Sequence, residues 1–267
     1  MAAILTARRG GVLQDDTIAS SYHLALLERP YREHVRWHEH ADGSGRVDAV
    51  AALYDVHCPT VIFLLGEAEG VGRCLADARL PDLAYVACFE GHRQAFEQFY
   101  RLPGPAPMVR MVLGRREWER RARAARCVAA PAPVALNESH LEALYELFAA
   151  ESGFQPDLHQ FRMGRYMGIV DGGRILSAAG THFVSRRHSI AIIGNVLTHP
   201  AHRRRGLATA VVRGMLLRLF DDAERVCLNV RRTNEAAVNL YASLGFAAHC
   251  SYIEGTALLR QTAANGR

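Results

Sequence analysis

A chain of 267 residues exceeds the usual size of one domain, so two domains of about 120–150 residues each are expected. The composition is 49% hydrophobic and 22% charged, enough for a real core, and all 32 basic side chains are arginine. A net charge of +5, spread along the chain, suits anionic small molecules better than long nucleic acid, which needs a clustered basic face. No stretch approaches the roughly 18 uncharged apolar residues of a membrane span, and the run before Arg8 is too short for a secretory signal.

The first half reads as alternating strand and helix. "LALLERPYREHVRWHEH" (24–40) is expected to be helical and interrupted at Pro30. "PTVIFLLG" (59–66) and "LAYVACF" (83–89) are continuous apolar runs, as in strands buried on both faces. "VGRCLADA" and "HRQAFEQFYRL" have helical periodicity, and 107–115 is a strand. A charged helical stretch and the proline-bearing "CVAAPAPVAL" follow, which places a domain boundary near Arg126. The expected division is an α/β domain over 1–126 and a second domain over 127–267. The six cysteines are widely separated, without a CxxC pair, as in a reducing compartment; a cytoplasmic location is expected.

The second half opens on the amphipathic "NESHLEALYELFAAE", with Asn137 or Ser139 as N-cap, and "PDLHQFRMGRYMG" as a second helix. A hairpin turning at Asp171-Gly172-Gly173 follows, then the strand "SIAIIGNVLT". Next come a loop with three arginines, a helix over 206–220, the strand "RVCLNV", the helix "EAAVNLYASLGF" and a last strand near "AAHCSYIEG". The arginine loop is chemically pointed. Arg203-Arg204-Arg205-Gly206-Leu207-Ala208-Thr209 opens a helix directly after an apolar strand, where unpaired N–H groups and the helix dipole favour an anion. Gly206 allows close backbone approach, and the arginines add charge-assisted hydrogen bonds suited to a pyrophosphate.

Arg203-x-x-Gly206-x-Ala208, the upstream "NVLTHP" and the downstream "LNVRRTNEAAVNLYASLGF" together resemble the GNAT superfamily of acyl-CoA-dependent N-acyltransferases over about 130–258. The resemblance implies a GNAT fold, a mixed central sheet flanked by helices, in the C-terminal domain. The first half resembles, in layout alone, the degenerate amino-terminal copy of tandem GNAT proteins. It also implies acetyl-CoA as co-substrate, held by Val196, Leu197, Thr198, residues 203–209, Asn229 and Asn234. Backbone N–H groups of Val196 to Thr198 would bind the thioester carbonyl at a splay between two central strands. Asn234 and Tyr241 are seven residues apart, about 700° around a helix, so both lie near one face roughly 10 Å apart. Tyr241 would protonate the departing thiolate.

Many family members place a glutamate on the central strand as base, but "SIAIIGNVLT" has none. His182 as base and Asn195 as a water-positioning residue are the substitutes. "HVRWHEH" lacks the ligand set of a metal site, and "EAEGVG" (67–72) carries glutamates that would repel a pyrophosphate. The expected function is transfer of an acetyl group to a primary amine by direct attack, with no metal, nucleic acid or membrane partner. A homodimer is compatible with it. A longer acyl donor, or a non-catalytic CoA-binding sensor or scaffold, is the alternative.

Overall fold

The computed structural model describes residues 10–124, 131–149 and 158–261. They fall into two compact units: Met1–Arg110, Arg231–Thr233 and His249–Arg267 in the first, and Met111–Val230 and Asn234–Ala248 in the second. These bounds differ from the expected division at 126/127. The chain changes unit inside the strand Ala106–Gly114 and again inside its last strand, Ala247–Leu259. Composition marks a linker, whereas strand pairing is non-local and cannot be read from prolines. The expected boundary residue Arg126 and the first part of the linker, 127–130, lie outside the described residues, as do the first nine, whereas the end of the linker contains the short strand Val134–Ala135.

The first unit comprises α1 (Gly10–Gln14), α2 (Ser21–Leu26), β1 (Val35–Ala41), β2 (Val47–Tyr54) and β3 (Thr60–Gly66). It continues with α3 (Ala68–Ala76), β4 (Leu83–Phe89), α4 (Arg93–Glu97), β5 (Tyr100–Arg101) and the start of β6 (Ala106–Gly114). The last strand of the chain, Ala247–Leu259, pairs antiparallel with β4. β1, β2 and β3 are antiparallel neighbours, and β3 runs parallel to β4. The core joins Ala49, Ala51, Leu53, Ile62 and Leu64 of the sheet to Val71, Cys74 and Leu75 of α3. Small alanines on β2 let that helix approach closely. Gly66 has φ +105°, and a Cβ there would lie 2.1 Å from the Asp48 carbonyl oxygen, so only glycine turns the chain from β3 into α3 with one intervening residue, Glu67.

One local expectation fails here. Residues 24–40 are not one interrupted helix: α2 ends at Leu26, a 3₁₀ turn covers Tyr31–His34, and β1 follows. "HVRWHEH" therefore repeats at two residues rather than at helical spacing, and His40 Nδ1 meets Asp48 at 2.7 Å. Val35 and Trp37 suit a strand, and pairing with β2 overrides the local helical pattern.

The second unit comprises the rest of β6, α5 (Arg115–Ala124), β7 (Val134–Ala135), α6 (Leu141–Ala149), α7 (Leu158–Met163), β8 (Tyr166–Asp171) and β9 (Arg174–Ser185). β10 (Ile190–Thr198), α8 (Leu207–Leu219), β11 (Arg225–Arg231), α9 (Glu235–Leu244) and the start of β12 (Ala247–Leu259) complete it. β7, β8, β9 and β10 pair antiparallel in that order, and β10 runs parallel to β11. Asp171 pairs with Arg174 across a two-residue turn in which Gly172 and Gly173 both have positive φ, as a type I′ hairpin requires. The expected helix over 156–168 is shorter than its pattern. It stops at Met163, because Gly164 passes against the Thr181 carbonyl and Arg165 N–H donates to Thr181 Oγ1 at 2.8 Å, committing Tyr166 to the sheet.

α8 buries Leu207, Val211, Val212, Met215, Leu216 and Leu219 along one face. Each such side chain contributes about 1.5–3 kcal/mol, which fixes where the helix begins. The order strand, antiparallel strand, helix, parallel strand occurs in both units: β2-β3-α3-β4 in the first and β9-β10-α8-β11 in the second. No helix among the described residues is long and apolar enough to cross a membrane.

Candidate functional site

The second unit holds an opening between its parallel strands. β10 and β11 pair only through Ile190–Ile193 against Arg225–Leu228, although both strands continue. Burial changes at the same place: Ile190 to Ile193 are buried, while residues 194–198 and Asn229 are half-buried. His199 N–H donates to the Leu176 carbonyl at 2.9 Å, which sets the orientation of the β10 backbone. Since strand N–H groups alternate between edges, Leu197 turns its N–H toward Ala178 of β9, whereas Thr198 turns its own toward the opening; Val196 stands within the bulge just before them. Leu197 is occupied by the hairpin partner. Ser177, fully buried, anchors this end of β10 through the Leu197 carbonyl at 3.2 Å and Thr198 Oγ1 at 2.8 Å.

Two bulges face each other across β9 and β10. Ile192 pairs with Phe183 but Ile193 with Thr181, so His182 is the extra residue on β9. Gly194 pairs with Gly180 but Leu197 with Ala178, so β10 carries the compensating extra residue, and Asn195 there has φ +53°. Asparagine tolerates that left-handed conformation better than most residues. Bulges re-aim side chains, and these two bring together both residues expected to handle the acceptor. A Cβ on Gly194 would lie 1.8 Å from His182 Nε2, so the imidazole covers the space that glycine leaves. Asn195 Nδ2 donates to the Tyr166 hydroxyl at 2.8 Å.

Past Thr198 the chain makes a 3₁₀ turn at Pro200–His202 and enters the arginine loop. Arg204 and Gly206 adopt φ +58° and +75°. A left-handed arginine costs on the order of 1 kcal/mol, and such strain concentrates where a loop must present its backbone. Gly206 caps α8 without a side-chain hydrogen bond, and the first helical bond runs from Ala210 N–H to the Gly206 carbonyl. The N–H groups of Leu207, Ala208 and Thr209 open this helix, at the positive end of its dipole. Arg203 Nε donates to the Thr198 carbonyl at 3.3 Å, and Arg205 Nη1 lies 3.1 Å from His202 Nδ1; Arg203, Arg204 and Arg205 are all exposed. Fixed N–H groups ringed by guanidinium groups fit a pyrophosphate.

α9 packs against α8. Asn234 is its N-cap: Oδ1 accepts from Ala237 N–H at 3.1 Å, and the amide nitrogen carries both of its donors beyond that bond. The seven-residue spacing signals a shared face, but capping already gives this side chain a structural role. Tyr241 is buried at 7% exposure, its ring edge-on to Phe246 at 5.7 Å, and burial pushes its phenol pKa up. It is therefore neutral at every working pH. The glycine that ends α9, Gly245 at φ +102°, closes the helix through bonds to Tyr241 and Ala242 carbonyls and so fixes the turn on which Tyr241 stands.

Sequence reasoning missed Tyr166, Gly194 and Ser177. Their roles depend on cross-strand register, and the signal available was the run of small residues 178–180, whose Gly180 makes room for the Tyr166 ring: a Cβ there would lie 2.4 Å from it. Among the described residues, no group of three or more histidine, cysteine, aspartate or glutamate side chains could hold a metal ion.

The family model for FR47-like protein matches residues 166–253, the segment that contains both bulges, the arginine loop and α9. No curated protein matches the chain. Among solved structures, a Novosphingobium aromaticivorans protein described as an acetyltransferase from the GNAT family is 22% identical, with 90% of this chain and 96% of that one covered and a TM-score of 0.62. A Drosophila protein is 14% identical over 97% and 96% of the two chains, with a TM-score of 0.73. A tandem GNAT protein from the clavulanic acid biosynthesis pathway is 16% identical over 90% and 88%, with a TM-score of 0.58. The chain has the GNAT fold, and its residues 166–253 carry the pattern of the GNAT-related FR47-like family.

Proposed function

We propose that the chain is an acyl-CoA-dependent N-acetyltransferase that moves an acetyl group from acetyl-CoA to a primary amine by direct attack. The observation that carries this reading is the parallel opening between β10 and β11 lying directly before a strained, arginine-lined helix start. In the proposal the N–H groups at 204–209 and the flanking arginines hold the pyrophosphate. Val196 and Thr198 N–H groups receive the thioester carbonyl oxygen, where negative charge grows during attack; a preorganised donor there is worth about 2.7–4 kcal/mol. Asn234 offers its amide nitrogen, and Asn229 its place on the far side of the opening, to the pantetheine arm. As the amine nitrogen bonds to the carbonyl carbon, the carbon–sulfur bond breaks and sulfur leaves as thiolate. Tyr241, kept protonated by burial, donates to that sulfur. His182 takes the amine proton through water, and Asn195 orients the water.

The test is release of free thiol from acetyl-CoA across a panel of primary amines, followed by Tyr241→Phe on whichever acceptor turns over. Phenylalanine keeps the packing against Phe246, so CoA affinity is expected to hold while kcat falls about 10²–10⁴-fold. Unchanged turnover would remove Tyr241 from the mechanism. CoA binding with no turnover on any amine or donor would favour a sensor or scaffold, and turnover only with longer donors would reassign the acyl group.

A further inference from the structure

We propose that Tyr166 is a positioning residue of the acceptor site, acting through Asn195; the proposal rests on the transferase reading above. Tyr166 opens β8, is 3% exposed, and stacks at a tilt on Phe161 with centroids 4.9 Å apart. Its ring lies over Gly180, so the sheet itself reserves the place for it. Its hydroxyl receives the Asn195 Nδ2–H at 2.8 Å. Asn195 is the residue in left-handed conformation at the β10 bulge, and a bulge residue lacks the ladder bonds that would otherwise hold it. The Tyr166 bond replaces that restraint. With one N–H given to Tyr166, the Asn195 side chain is tethered, and its Oδ1 can accept from an incoming amine or its attendant water. Tyr166 thus fixes where the Asn195 amide meets the acceptor, while His182 stands over neighbouring Gly194.

The experiment combines Tyr166→Phe, Asn195→Ala and the double variant in the full chain. Tyr166→Phe keeps the ring and its packing, so acetyl-CoA affinity by calorimetry is expected to stay within twofold. Its kcat/KM for the acceptor is expected to fall roughly 3- to 10-fold, the net worth of one neutral hydrogen bond. In the Asn195→Ala background the same change is expected to cost nothing further, a coupling that general loosening of the core would not give. A second readout needs no turnover: the Asn195 side-chain amide resonance in nitrogen-edited NMR is expected to move and lose exchange protection in Tyr166→Phe. Additive losses, or an Asn195 amide signal indifferent to Tyr166→Phe, would overturn the proposal. If the wild type turns over no amine, the transferase reading fails, and the amide signal alone decides whether Tyr166 holds Asn195.

Discussion

At the scale of single residues, the site is organised by what small side chains leave open. Gly194 has an ordinary strand role, yet the imidazole of His182 occupies the position its Cβ would take. Gly194→Ala is therefore expected to fold, since a side chain rather than backbone stands in the way, and to displace the His182 imidazole from its place over residue 194. If His182 is the base, Gly194→Ala and His182→Ala should lower kcat by similar factors and flatten the same acidic limb of the pH–rate profile. Equal profiles for wild type and Gly194→Ala, in a protein that still binds acetyl-CoA, would remove His182 from the base role. Asn234 carries the opposite lesson. Its capping bond to Ala237 is a sufficient structural reason for an asparagine there, worth about 1 kcal/mol, so a stability loss in Asn234→Ala says nothing about the pantetheine arm.

At the scale of elements, what was legible in the sequence is what local chemistry decides. The glycine pair at 172–173, the apolar stripe of α8 and the Gly206 start all needed only near neighbours. The bulges did not show, because His182 and Asn195 become extra residues only against a partner strand's count. β1 was misread for the same reason, its pairing with β2 outweighing an apolar pattern that suits a helix. Short α2 carries a further consequence. Its His23 is 2% exposed, packed between the rings of Trp37 and Phe63, with at most a weak contact from a ring nitrogen to the Phe63 backbone. Burial, then the positive charge of Arg110, push its pKa down to about 3; His92 adds to this, and the Phe63 backbone opposes it only in part. The unfolded chain takes up this proton first, near pH 6.5, so the contribution is present above pH 6.5 and is lost as pH falls toward 3. The loss is on the order of a few kcal/mol. Denaturant unfolding from pH 7 to 4 is expected to show an acid slope about one proton steeper in the wild type than in His23→Leu, over the background that His92, His38 and the shifted carboxylates give to both; parallel slopes in the two proteins would contradict it.

At the scale of the whole molecule, the two units share strand order but not chemistry. In both, the parallel pair stops after four residue pairs, at Phe63 with Ala87 and at Ile193 with Leu228. In the first unit, however, His92 Nε2 reaches the Gly66 carbonyl at 2.7 Å just past that point, and a single glutamate joins strand to helix. In the second, eight residues with three arginines make the same connection. The interleaved chain also limits dissection. A fragment of 127–267 would lose Trp118, which stacks on Phe220 at 6.0 Å, and would carry β12 without the β4 strand it pairs with. Such a fragment is expected to be insoluble or unfolded by circular dichroism; a soluble, cooperatively melting fragment would contradict this reading of the units. The central claim, that one unit alone holds an acyl-CoA at the Gly206 helix start, is tested most directly by calorimetric titration of the full chain with acetyl-CoA, wild type beside Gly206→Glu. The expected result is one equivalent bound per chain by the wild type and none by a folded Gly206→Glu, whose side chain would bring negative charge to a left-handed position made for glycine. Two equivalents per chain, or undiminished affinity in the variant, would contradict the account.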